Sequence, residues 1–111
     1  MVTATTPRRM DVVLVRLDPT VGHEMRKTRP CVVVSPDELN GRLATLIVAP
    51  LTSTRRSVPW RVDSTFRGKR GQVALDQLRT IDRTRVARNL GALDSRAGRR
   101  ALEILQEMFA A

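Results

Sequence analysis

The sequence contains no tyrosine, and its 111 residues include only two phenylalanines and one tryptophan. A core must therefore rest on Val, Leu, Ile and Ala, and a surface of stacked aromatic rings is a poor expectation for nucleic-acid binding. A single cysteine, Cys31, excludes an intrachain disulfide or a multi-cysteine metal cluster. Lying at the start of the apolar "CVVV", it reads as a small core residue rather than a nucleophile. The one histidine, His23, has neither a specified base partner nor metal-ligand spacing. The chain also lacks a Walker loop, a glycine-rich dinucleotide loop and a clustered histidine/carboxylate pattern, so chemistry without metal or cofactor is the simpler expectation. No apolar signal segment opens it, and its longest apolar runs fall well short of a membrane span, so a soluble cytoplasmic protein with no membrane partner is expected.

What is abundant is arginine. Twenty basic residues stand against 11 acidic ones, a formal charge of +9, and 18 of the 20 are Arg. Such a field favours nucleic acid, an acidic protein or a membrane surface. Lysine would serve bulk charge equally well, whereas the planar guanidinium also binds phosphate bidentately and stacks on bases.

The length suits one small domain, with residues 1–9 as a flexible extension and 10–111 as the folded unit. "MDVVLVRLD", "PCVVVS", "LATLIVAPLT" and "VPWRVDSTF" read as successive strands, with "DELNGR" and "RGKRG" as turns. One or two shorter strands in "QVALDQLRTI" complete five or six, enough for a small barrel or a strongly twisted sheet. "DRTRVARNLGALD" allows a short helical turn. Ser95 is the expected N-cap of a helix from near Arg96, whose stripe Ala101, Leu102, Leu105, Met108 and Phe109 should pack on the barrel.

The stretch "GHEMRKTRPCVVVSP" carries the chemical interest. Pro30 biases Arg29 toward an extended conformation at the mouth of a buried strand, where its fixed charge can stabilise a phosphate in a transition state. Arg26 and Lys27 would guide the backbone of the ligand, and the alternative is a solvated loop. Thr52 follows the run "TLIVAPL", so a strand can deliver its hydroxyl to the same edge. Without a visible base it is a phosphate donor rather than a covalent nucleophile. Glu24 can accept a proton, orient Arg29 or compensate local charge. Beyond Thr52, Arg55, Arg56, Arg61, Arg67, Lys69 and Arg70 can extend a path for a polyanion or form a solvated face.

Taken in order, "MDVVLVRLDPTVGHEMRKTRPCVVVSP", "TLIVAPLTS" and "VALDQLRTIDRTRV" resemble the MazF/PemK family of toxin endoribonucleases over Met10 to Phe109. The resemblance implies a mainly β fold with a C-terminal helix, the compact SH3-like barrel of the MazF/PemK and CcdB toxins. It implies a homodimer that binds single-stranded RNA, a cognate antitoxin with a flexible acidic segment, and no cofactor. On it, Arg29 and Thr52 match the main catalytic positions and Glu24 the acidic loop position. Arg26, Lys27, Arg55, Arg56, Gln77 and Arg79 are assigned to substrate binding or its support. Met10 stands where the family often has glycine before Asp11, and Met25 where it often has glutamine. The expected reaction is attack of an RNA 2′-hydroxyl on its own phosphodiester. The alternative is a noncatalytic relative that inhibits a protein target such as DNA gyrase.

Overall fold

The computed structural model describes residues 6–16 and 28–111. Seven strands form the sheet: β1 (Asp11–Arg16), β2 (Thr28–Val33), β3 (Thr45–Thr52), β4 (Arg61–Phe66), β5 (Lys69–Ala74), β6 (Arg79–Asp82) and β7 (Val86–Ala92). Two helices, α1 (Asp37–Arg42) and α2 (Ser95–Met108), complete it. The strand order is β4-β5-β3-β2-β1-β7, every pairing antiparallel. Strand β3 joins two regions: its first half pairs β6, its last two residues pair β5, and β2 lies along its other edge.

Both faces of the central strands are buried, which is why "DVVLVR" and "CVVV" read as near-continuous apolar runs. Successive side chains point to opposite faces. Val12, Val32, Val34 and Ala49 therefore join Val62, Val73 and the helix residues Ala97, Ala101 and Ile104 in one cluster. Val13, Val15, Cys31, Val33, Leu46, Val48 and Ile81 form a second cluster on the opposite side.

Four local expectations need correction. "DELNGR" is a one-and-a-half-turn helix rather than a turn, because Asn40 is fully buried and Arg83 Nη1 donates to the carbonyls of Asn40 and Leu43 at 2.9 and 3.1 Å. Helix α2 is capped by Asp94, not Ser95: its Oδ1 accepts from the Arg96 and Ala97 amides. Its buried stripe is Ala97, Gly98, Ala101 and Ile104, with Leu105 packed against the same cluster as expected, while Met108 and Phe109 are 39% and 73% exposed. The segment after Asp82 makes a 3-10 turn only at Arg83–Arg85 and then becomes β7, an edge strand paired to β1.

Met10 adopts φ 73°, a left-handed conformation that favours glycine. Its side chain instead packs over Gly98 of α2, where an added Cβ would lie 3.0 Å from the Met10 sulfur. The hairpin between β4 and β5 turns at Arg67 (φ 52°) and Gly68 (φ 78°), both positive as a tight two-residue turn requires.

Asn40 and Ser35 form a closed polar pair inside the fold: Ser35 Oγ donates to Asn40 Oδ1, Asn40 Nδ2 donates to the Ser35 carbonyl at 3.0 Å, and the Ile47 amide donates to Ser35 Oγ. Asn40→Ala removes one partner and leaves buried groups unmatched, so it should lower stability by about 3 kcal/mol. Urea unfolding with an unchanged midpoint would contradict this.

Candidate nucleic-acid interface

Strand register builds the site. Cys31 pairs with Pro50 and Val33 with Val48, and beyond the Cys31–Pro50 pair Arg29 of β2 and Thr52 of β3 line the same groove. Thr52 pairs with Gln72 on β5, and Gln72 pairs with Asp63 on β4. Thr52, Gln72 and Asp63 thus form one row across three strands, with Arg29 on β2 lining the same groove as Thr52. Arg29, Thr52 and Gln72 share a groove of about 340 Å³ with Phe66, Lys69 and Arg70.

Each of these residues is held differently. The Cys31 thiol donates to the Arg29 carbonyl at 3.7 Å, while no described carboxylate pairs with the exposed Arg29 guanidinium. Thr52 Oγ1 accepts the Thr54 amide at 3.1 Å, which fixes the hydroxyl and leaves its proton available to a ligand. Beside it, Gly71 allows a close approach: a Cβ there would lie 2.6 Å from the Thr52 carbonyl oxygen.

Gln72, only 5% exposed, fastens the loop that follows Thr52. Its Oε1 accepts the Arg56 amide at 2.9 Å, and its Nε2 donates to the Arg56 carbonyl at 3.0 Å and to Asp63 Oδ1 at 2.9 Å. That clamp presents Arg55 and Arg56 to an adjoining groove of about 600 Å³, also lined by Arg61. Arg61 is locked onto Asp76 through two hydrogen bonds of 2.7 and 3.2 Å. The bonds from Arg61 hold the Asp76 carboxyl below the ordinary carboxylate range. Asp63 is lowered too, first by Gln72 and, less strongly, by Arg55 and Arg70.

Among the residues expected from sequence, Arg29 and Thr52 therefore line one groove, and Arg55 and Arg56 line the next. Arg79 lies on β6, close enough for its charge to act with that of Arg29 on the Cys31 thiol. Gln77 ends a 3-10 turn (Leu75–Gln77), is exposed, and lines neither groove. Glu24, Arg26, Lys27, His23 and Met25 lie outside the described residues. Gln72 and Gly71 escaped the sequence reading. A polar residue immediately before the apolar "VAL" was the available signal for Gln72, whereas Gly71 looked like part of the hairpin.

Cys31 is a core residue, 2% exposed, and burial pushes its thiol from 9.0 up to about 11. The native state binds this proton more tightly than the unfolded chain, so its contribution to stability is intact below pH 9.0 and lost as pH rises toward about 11. Alkylation should accordingly wait for unfolding. Labelling of the native protein at pH 8 as fast as that of the denatured chain would contradict this. Among the described residues, no three His, Cys, Asp or Glu side chains stand together as a metal site.

Known proteins share this architecture. The family described as the PemK-like, MazF-like toxin of type II toxin-antitoxin systems matches residues 8–109. Endoribonuclease PemK of Escherichia coli is 40% identical over 79 residues, spanning 67% of this chain and 59% of that protein. Endoribonuclease toxin MazF of E. coli strain K12 is 31% identical over 81 residues, 73% of each chain. The crystal structure of MazE-MazF (Form-II) from Deinococcus radiodurans superposes with a TM-score of 0.81 at 28% identity, covering 93% of this chain and 95% of that one. A barrel-like sheet carrying one C-terminal helix, together with a sequence match across nearly its whole length, places this chain in the PemK-like, MazF-like toxin family.

Proposed function

We propose that the protein is an endoribonuclease toxin that cleaves single-stranded RNA by attack of a 2′-hydroxyl on the adjacent phosphodiester. The observation that carries this reading is the placement of Arg29 and Thr52 on one groove. RNA supplies its own nucleophile, so the protein needs to orient a phosphate and stabilise the charge that develops on it. Arg29 offers a fixed charge and a fork of donors to the non-bridging oxygens. Thr52 adds a single oriented hydroxyl. The products are a 2′,3′-cyclic phosphate and a 5′-hydroxyl, and the scheme calls on no metal. Glu24 is proposed to organise Arg29 or assist proton transfer.

The active form is proposed to be a cytoplasmic homodimer neutralised by an antitoxin whose acidic segment covers the cationic groove. Support comes from the match to a MazE-MazF complex and from a surface whose Arg29, Lys69 and Arg70 suit carboxylates as well as phosphates. The test is incubation with a diverse RNA pool in the presence of a chelator. Cleavage with cyclic-phosphate ends is expected. Strict dependence on an added divalent metal would overturn the mechanism, and intact RNA accompanied by gyrase inhibition would favour the noncatalytic alternative.

Thr52→Val keeps the bulk and β preference while removing the hydroxyl. Loss of one preorganised donor should slow single-turnover cleavage by about 100-fold with the fold retained. A folded variant that cleaves at the wild-type rate would exclude Thr52 from the chemistry.

A further inference from the structure

Asp63 is anomalous on this face. It lines three adjoining grooves of about 600, 230 and 380 Å³, among Arg55, Arg56, Arg61 and Arg70. A carboxylate in such a place repels phosphate, so a bound strand must present something else there. The neighbouring acids are already engaged: Asp76 holds Arg61, and Asp94 caps α2. Asp63 differs, because its contacts with Gln72 Nε2 at 2.9 Å and Arg55 Nη2 at 3.5 Å both fall on Oδ1. The side chain stays 69% exposed and no described residue contacts Oδ2, which leaves that oxygen to a ligand.

The position follows from the row described above. Asp63 stands two ladder steps from Thr52, roughly 10 Å along the hydrogen-bonding direction, so a strand with its scissile phosphate at Arg29 and Thr52 brings a flanking nucleotide to it. Gln72 holds the carboxylate from a buried position, which fixes the acceptor in space. An ionised carboxylate is acceptor-only. Of the nucleobase edges, those carrying an exocyclic amino group supply the matching donor at the rim of the base, while uracil's one edge donor, N3–H, lies between two carbonyl oxygens that a carboxylate repels. The Arg55 guanidinium beside Asp63 can serve the ring acceptor next to that amino group.

Resting on the endoribonuclease reading, we infer that Asp63 is a specificity-determining residue that selects, at one nucleotide flanking the cleaved phosphate, a base bearing an exocyclic amino group. It acts through a direct hydrogen bond from the base, with Gln72 as its positioning residue. Phosphate contacts by the surrounding arginines supply affinity without sequence information, and Asp63 supplies the discrimination.

The experiment uses the full chain and matched RNAs that differ by one amino group at each flanking position in turn: guanine against hypoxanthine, adenine against purine, cytosine against 2-pyrimidinone. Wild-type protein should favour the amino-bearing member at one position by about 10-fold or more in kcat/KM. In Asp63→Asn, whose amide can also donate to a carbonyl, that ratio should collapse toward unity, whereas Thr52→Val should slow both members and keep the ratio. Anisotropy with uncleavable 2′-O-methyl versions should show the same loss of preference in binding. An unchanged ratio in D63N, or an equal loss on every RNA, would overturn the inference and leave the endoribonuclease reading standing. Failure of the wild-type protein to cleave any RNA would remove both.

Discussion

Replacing Arg29 with alanine is expected to lower single-turnover cleavage by about 1000-fold or more, the range seen when a fixed charge aimed at a transferring phosphate is removed. The substitution deletes both the charge and several donors at once, so its effect should exceed that of T52V. Arg29 is exposed and contributes nothing to either core cluster, so thermal unfolding of the variant should match the wild type. RNA binding should weaken modestly, since Arg55, Arg56, Lys69 and Arg70 still line the grooves. A variant that binds poorly yet cleaves at the wild-type rate once saturated would reassign Arg29 to substrate capture.

The second large effect is expected at a residue with no side chain. In Gly71→Ala the new Cβ would sit 2.6 Å from the Thr52 carbonyl oxygen, a backbone atom that cannot rotate away. Relief requires β5 to move from β3 at the last pair that joins them, Thr52 with Gln72. Thr52 would shift, and the loop clamped by Gln72 would shift with it. A displacement of about 1 Å at a reacting group can cost about 100-fold in rate, and overpacking of this kind about 1–3 kcal/mol in stability. Single-turnover kinetics and urea unfolding together test this. A G71A protein with unchanged activity would mean that Thr52 need not be held where it stands.

The legible parts of the molecule were those whose signal is local. "DVVLVR", "CVVV" and "TLIVAPLT" announce strands buried on both faces, and Pro30 and Thr52 mark where two of them open onto solvent. Strand β7 was hidden because it lies at an edge: "VARNLGA" buries nothing fully, so its pairing to β1 leaves no apolar alternation to read. Helix α1 was hidden because Pro36, Asn40 and Gly41 are turn formers, and only the buried contacts of Asn40 reveal what the segment does. In α2 the small residues Ala97, Gly98 and Ala101 set the packing face, although the larger Met108 and Phe109 dominate a hydrophobicity pattern. Similarly, Arg29 and Thr52 could each be singled out, but their sharing one groove depends on how β2 is laid against β3. Gln72 depends on two such registers at once, and its hydrogen bonds to Arg56 span sixteen positions of sequence.

The central claim is that Arg29 and Thr52 donate directly to the phosphate that reacts. Sulfur in place of one non-bridging oxygen at the scissile position weakens those hydrogen bonds and leaves the 2′-hydroxyl and the leaving group untouched. Single-turnover cleavage of each phosphorothioate diastereomer should be slower than that of the oxygen parent for the wild-type enzyme, and this penalty should largely vanish in R29A or T52V for the isomer each residue contacts. An undiminished sulfur penalty in both folded variants would contradict the account.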